Sequence, residues 1–222
     1  MNRYMTPLKF PDPTAWMVAD SLKYLLPILD TVLWSDQEYR YGILQMKRWE
    51  RRRLEKLRKR NAAAIRASAA RNLRVVSGII DRHGWLGVQD IGLKASMTMF
   101  MVLQHADPAT QEKYYPMLEE AFHRKKLLPS QYAMITDRIE LRHKRPQRYG
   151  SQLQAVRGDT TYLWPLLQPD SVDAWRKSIG MMESLQQYLR QFGVRWDLEA
   201  YKKSLPELDR KFGVIRDKPL GN

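Results

Sequence analysis

Cysteine is absent from the 222 residues, which excludes disulfides, thiolate nucleophiles and cysteine-ligated metal centres. A long uncharged apolar run is absent as well. The most apolar early stretch, residues 15–34, is interrupted by Asp20, Lys23, Pro27 and Asp30, whereas a membrane-spanning helix needs roughly 20 nearly uncharged residues. This stretch also lacks the basic start and the small-residue cleavage site of a signal peptide. We therefore expect a cytoplasmic protein with no transmembrane segment.

The sequence also lacks the short motifs that identify several enzyme classes. It contains no Gly-rich phosphate loop with its lysine, no dinucleotide fingerprint, no HExxH motif, no nucleophile-elbow serine and no EF-hand. We predict no cofactor. Any chemistry must then come from polar residues that stand beside apolar or glycine-rich sequence.

Basic residues exceed acidic ones, with 38 Lys and Arg against 24 Asp and Glu and a formal net charge of +14. Half of that excess lies in Lys47 to Arg60, which holds nine basic and two acidic residues, so 9 − 2 = +7. Such a run is typical of a solvated helix face or of a surface that binds RNA, DNA or an acidic protein. The residues that would bind such a partner are Arg51, Arg52, Arg53, Lys56, Arg58, Lys59 and Arg60.

Glycine and proline are scarce before residue 77, and helical spacing of apolar residues predicts a mainly α fold in a single helical domain. We expect an N-terminal amphipathic helical segment (1–34), a helical domain (35–192) and a C-terminal helix and tail (193–222). Ser35 is a predicted N-cap for one long helix to Ile80, which either breaks near Asn61 or projects from the domain as a basic arm. A small two-stranded β element is predicted near 151–164, with strands over 151–156 and 160–164.

His83 stands in "HGW", directly after the long helix. An imidazole titrates near neutral pH, and the adjoining glycines allow a substrate close to the backbone, so a general acid or base is one interpretation. The alternative is a histidine at the end of its helix, with Gly84 in the left-handed conformation.

The segment "LQHAD" ends the most apolar stretch of the chain. Gln104 and His105 are expected to be partly buried and to need polar partners. His105 and Asp107 could be an acid/base pair or metal ligands, although residues two apart on a helix do not face each other. Asp107 followed by Pro108 is also a standard helix opening, with the aspartate as N-cap.

Two further segments carry polar residues, "TDR" and "QRYGSQ". Asp137 lies between two apolar stripes of a predicted helix and has no basic residue at i±3 or i±4, so its partner should be distant in sequence. That partner is either a functional group or a remote arginine. In the second segment, Gln147, Tyr149 and Gln152 around one glycine suit a polar ligand or a hydrogen-bonded turn equally well.

Taken together, "HGWLG", "LQHAD", "TDR" and "QRYGSQ" resemble the bacterial family of unknown function DUF6624, whose members typically read HGWPG, QHAD, DR and Q-x-YGTQ. The resemblance spans roughly residues 35–192. This sequence differs at Leu86, where the family has proline, and at Ser151, where it has threonine. The resemblance implies a shared fold and site and names no reaction. It is carried by Asp36, Gln37, Arg40, Asn72, His83, Gly84, Trp85, Gln104, His105, Asp107, Asp137, Arg138, Gln147, Tyr149, Gly150, Gln152 and Arg176.

Three functions fit these residues. The first is a metal-independent hydrolase or lyase acting on a small polar or phosphorylated substrate. There His83 and His105 would be the acid/base pair and Asp137 would orient an imidazole. The substrate would be bound by Trp85, Gln104, Arg138, Gln147, Tyr149 and Gln152. The second is a non-enzymatic adaptor that binds an acidic partner or nucleic acid through the basic helix. The third is a metalloenzyme with His83, His105 and Asp107 or Asp137 as ligands of iron, manganese or zinc.

Overall fold

A computed structural model describes residue 14 and residues 17–37, 48–155 and 161–216. This part of the chain forms ten α-helices and one antiparallel pair of short strands, which confirms the mainly α class and the small β element. The elements are α1 (Leu25–Gln37), α2 (Arg48–Arg60), α3 (Ala62–His83), α4 (Val88–Ile91), α5 (Leu93–His105), α6 (Pro108–His123), α7 (Pro129–Arg142), β1 (Leu153–Ala155), β2 (Thr161–Leu163), α8 (Val172–Ser178), α9 (Leu185–Arg190) and α10 (Leu198–Phe212). None of the helices described is long and apolar enough to cross a membrane.

The chain divides into two compact units, Met1–Leu127 and Leu128–Asn222. The segment boundaries that the sequence predicts, near residues 34 and 192, stay a prediction. The unit boundary falls just before the helix that Pro129 opens, at the start of α7.

In the first unit, α1, α3 and α5 pack against one another. Helix α5 is buried on most of its surface, as its apolar sequence predicts, and Met99 and Leu103 are fully buried. From α1, Leu25 and Leu29 contribute to the same buried interior. Burying side chains of this size contributes about 1.5–3 kcal/mol each. The packing of these three helices therefore forms the core of the first unit.

One helix boundary differs from the sequence prediction. Ser35 is not an N-cap, because α1 continues through it to Gln37 and its hydroxyl donates to the carbonyl of Val32 and to Oδ1 of Asn72. The long helix breaks at Asn61, as expected, into α2 and α3. Its predicted course between 38 and 47, including Arg40, lies outside the described residues. The predicted cap at Asp107 is confirmed, since its side chain accepts from the backbone N–H of Thr110.

In the second unit, β1 and β2 pair with Leu153 opposite Leu163. Leu163 belongs to a buried core with Leu166, Val172, Leu185 and Leu189, and Leu153 packs against that core. Helix α10 ends just before Gly213, whose φ of +64° suits glycine. The predicted strand ends at Val156 and Thr160 lie outside the described residues.

Candidate functional site

The loop of residues 84–87, which follows α3, contacts Lys126 near the end of the first unit. Nε1 of Trp85 donates to the carbonyl of Lys126 at 3.1 Å, and the indole is only 5% exposed. A Cβ at Gly87 would lie 2.5 Å from the same carbonyl oxygen, so only glycine fits this close approach. Asp90 accepts from the backbone N–H of Gly87 and from Nζ of Lys126. These contacts make Trp85 a packing residue in the conformation described.

His83 is the last residue of α3 and is half-buried. A hydrogen bond of 3.0 Å joins its Nε2 to the hydroxyl of Tyr24, just before α1. Gly84 ends the helix with φ +69° and ψ −166°, which glycine adopts without strain but which differs from the left-handed helical conformation predicted for it. Both features match the structural interpretation of "HGW" as a helix terminus.

His105 forms a pair with a carboxylate that is distant in sequence. Its Nδ1–H donates to Oδ2 of Asp36 at 2.9 Å. The Asp36 side chain is 4% exposed and the imidazole 28% exposed, so the acid lies beneath a partly accessible ring. Nε2 of Gln37 also donates to Oδ2 of Asp36, at 2.8 Å, and contacts the sulfur of Met101 at 3.4 Å. The carboxylate thus fixes the orientation of the ring and the proton on Nδ1.

The structure does not bring the two histidines together. His83 lies beside Tyr24, at the start of α1, and His105 lies beside Asp36, at its end. Twelve residues separate Tyr24 and Asp36, which corresponds to about 18 Å along a helix. The predicted acid/base pair of His83 and His105 is therefore not formed.

The remaining residues of "LQHAD" close the junction between α5 and α6. Gln104 is buried, and its backbone carbonyl accepts from the side-chain amide of Gln111 at 2.8 Å. Both carboxylate oxygens of Asp107 accept from Thr110, one from the backbone N–H and one from the hydroxyl. These hydrogen bonds, led by the hydroxyl, hold the pKa of Asp107 below its ordinary value. The predicted ligand set of His83, His105 and Asp107 is not assembled, and within the described ranges no three His, Asp or Glu side chains could hold a metal ion.

In the second unit, the loop "QRYGSQ" wraps around the carboxylate of Asp137. Oδ1 accepts from the backbone N–H groups of Arg148 (2.8 Å) and Tyr149 (2.9 Å), and Oδ2 accepts from that of Ser151 (2.9 Å). The Asp137 side chain is fully buried. Burial raises the pKa of this carboxyl, and the three backbone donors act in the opposite direction. Its distant partner is thus a stretch of backbone.

The side-chain amides of the "QRYGSQ" loop are hydrogen bonded within the second unit. Gln147 is fully buried, donates to the carbonyls of Gln152 and Trp164, and accepts from the backbone N–H of Gln152. Nε2 of Gln152 donates to the carbonyl of Met134. The side-chain amides of Gln147 and Gln152 are therefore both engaged inside the protein.

Two arginines of the second unit, Arg176 and Arg138, are also among the residues that carry the family resemblance. Arg176 is buried and donates to the carbonyls of Tyr149 and Glu183. Burial lowers its pKa, and the charges of Glu183, Asp173 and Asp137 oppose that effect. Arg138, on α7, is half-buried, and its pKa is lowered by burial and by the charge of Arg142. Tyr149 itself is buried beside Tyr132, with ring centroids 6.3 Å apart.

Residues 29–200 match the model of a family described as a family of unknown function, DUF6624. The chain belongs to DUF6624. The match includes all four motif segments and extends slightly beyond the 35–192 span of the resemblance. No curated protein and no solved structure matches the chain significantly.

For this DUF6624 chain, sequence reasoning gave no role to Asp36. The residue was named only among those that carry the resemblance, because Ser35 just before it was expected to begin a new helix. Its partner His105 is 69 residues away, however, and only the packing of α1 on α5 brings them together.

A cavity of about 430 Å³ lies in the second unit, against β2 and one face of α10. Its aromatic lining is Tyr162, Trp196 and Tyr201, and its charged lining is Arg195, Asp197, Glu207 and Lys211. None of the site residues predicted from the sequence lines it. It extends beyond the DUF6624 match, which ends at residue 200.

Proposed function

We propose that this DUF6624 protein is a metal-independent acid–base catalyst, a hydrolase or lyase of a polar substrate, in which His105 transfers the proton and Asp36 orients it. The observation that carries the proposal is the hydrogen bond from Nδ1 of His105 to the buried carboxylate of Asp36, with the ring partly open to solvent. A proton transfer of this kind contributes roughly 10²–10⁴-fold to a rate.

The dyad has the features that a general base needs. With its proton on Nδ1, the neutral ring carries its lone pair on Nε2, and no described residue hydrogen bonds to that nitrogen. Nε2 can take a proton from an attacking water, or from a carbon next to the leaving group, and then return it to the leaving group. Asp36 stabilises the imidazolium formed between these steps, because the carboxylate lies 2.9 Å from Nδ1.

Three of the residues with predicted roles are not used in this mechanism. His83 is at the other end of α1, and Asp137 is held by the "QRYGSQ" backbone. Trp85 is packed on the Lys126 carbonyl. We infer that His83 and Trp85 stabilise the first unit, which carries the His105–Asp36 dyad, and that Asp137 stabilises the second.

The test uses p-nitrophenyl acetate as a general probe of base-catalysed hydrolysis, and each rate is measured with and without EDTA. We expect a protein-dependent rate that falls at least about tenfold in His105→Gln and in Asp36→Asn. His123→Gln is the matched control, because His123 is an exposed histidine of the same unit, and it should keep the wild-type rate. A wild-type rate in His105→Gln contradicts the proposal, and so does a rate that EDTA abolishes and Zn²⁺ or Mn²⁺ restores.

A further inference from the structure

Helix α2 carries a stripe of positive charge along one side. The side chains of Arg52, Arg53, Lys56, Lys59 and Arg60 are all exposed. At about 100° per residue, these five positions fall within an arc of about 120°. Arg51 and Arg58 lie on the same helix, but their side chains are outside the described part of the structure. The one described acid at the margin of the stripe is Glu55, which pairs with Lys59 at 3.5 Å.

The other side of α2 carries its two leucines. Leu54 and Leu57 are half-buried, and they lie about 140–200° around the helix from Arg52. A helix that inserts into a membrane surface needs its large apolar residues free to enter the lipid. Here the leucines of α2 are already half-buried, so the exposed stripe is the side of the helix that is accessible to a partner.

The density of charge on the stripe suits a polyanion. Arg52 to Arg60 spans about 12 Å along the helix, which places the five cations on average about 3 Å apart along its axis. Double-stranded nucleic acid carries one phosphate charge per about 1.7 Å of its axis. Surfaces that serve solubility alone normally mix the two signs of charge. Arg52, Lys56 and Arg60 follow one another at i, i+4 and i+8, and none of the three forms an ion pair with a described residue.

We propose that the α2 stripe binds the phosphate backbone of nucleic acid, independently of base sequence. This site is separate from the His105–Asp36 dyad and does not depend on its chemistry. Arginine and lysine side chains supply such contacts, and release of counterions from the phosphates drives the binding.

The test measures binding of the full chain to a fluorescein-labelled DNA duplex by anisotropy across a salt series. The variant is Arg52→Gln/Lys56→Gln/Arg60→Gln, and the matched control is Arg190→Gln/Lys203→Gln/Arg210→Gln. The control removes three exposed cations of the other unit and lowers the net charge equally. We expect the stripe variant to lose roughly tenfold or more in affinity, and its slope of log K against log [salt] to fall by about 2.7, since each phosphate contact contributes about 0.9.

Several outcomes overturn the proposal. One is absence of duplex binding by the wild type, and another is an equal loss in the two triple variants. A third is binding to phosphatidylserine vesicles that depends on the stripe while duplex binding does not, which would make the partner a lipid surface. Circular dichroism of both variants should match the wild type, and His105→Gln should bind the duplex normally, which separates this test from that of the dyad.

Discussion

Replacing Asp137 by asparagine tests whether one buried carboxylate organises the "QRYGSQ" loop. The substitution keeps the shape of the side chain and removes one acceptor. In the best orientation the amide oxygen keeps the bonds from Arg148 and Tyr149, and the new NH₂ group then faces the N–H of Ser151. That N–H loses its acceptor inside the protein.

The size of the loss follows from these three bonds. Two charge-assisted hydrogen bonds become neutral ones, which costs about 1 kcal/mol each, and one buried donor left without an acceptor costs about 1–3 kcal/mol. Relief of the burial of a charge offsets part of this. We expect the free energy of unfolding to fall by about 2–4 kcal/mol.

Urea unfolding followed by circular dichroism measures this change, and amide hydrogen exchange at Arg148, Tyr149 and Ser151 shows whether the loop opens. The control is Asp170→Asn, which removes a 60% exposed carboxylate paired with Lys202 and should cost less than about 1 kcal/mol. A loss below about 0.5 kcal/mol in Asp137→Asn, with unchanged exchange in the loop, would refute the reasoning.

Three further predictions concern stability. Asp107→Ala should cost about 1 kcal/mol at neutral pH through loss of the cap on α6. Because folding lowers the pKa of Asp107, its contribution to stability is present above the ordinary value of 3.8 and is lost as pH falls through the folded value. The difference in melting temperature between variant and wild type should therefore disappear in acid. Burial raises the pKa of Tyr188 from 10.0 to about 12, so its contribution to stability is present below pH 10.0 and is lost as pH rises towards 12. Tyr188→Phe loses the hydrogen bond to the Ser151 carbonyl and should therefore lose less stability at alkaline pH than the wild type. An equal alkaline loss in the two proteins would disprove this. Gly150→Ala should cost roughly 1–3 kcal/mol in urea unfolding, because Gly150 has a φ of +68° and an added Cβ would make a short contact. Gly78→Ala should stabilise by about 0.5–1 kcal/mol, because Gly78 lies inside α3 with open space around it. A more stable Gly150→Ala than Gly78→Ala would contradict this account of the backbone.

The fold class could be predicted because it depends on local signals. Helical spacing identified the helices, the apolar sequence of α5 predicted its burial, and Asp107-Pro108 marked a helix start. Ser35 was misplaced because a capping residue type was taken as a boundary. Its hydroxyl instead contacts Asn72 on α3, a long-range contact that no local pattern encodes.

The site was predictable only in part. Motif order indicated that the polar residues belong together in the family, but it could not give distances. The length of α1 places His83 and His105 at opposite ends of the helix. The partners of Asp137 are backbone N–H groups, which carry no signal in residue identity. Asp36 could not be assigned to His105 without the packing of α1 on α5.

The central claim is that Asp36 holds His105 with its proton on Nδ1 and leaves Nε2 as the base. Long-range ¹H–¹⁵N NMR spectra of the imidazoles measure this directly, because the two ring nitrogens have distinct shifts when protonated or bare. We predict that neutral His105 is protonated on Nδ1 in the wild type, and that this preference is lost in Asp36→Asn. A proton on Nε2 of His105 in the wild type, or an identical tautomer in Asp36→Asn, would contradict the account.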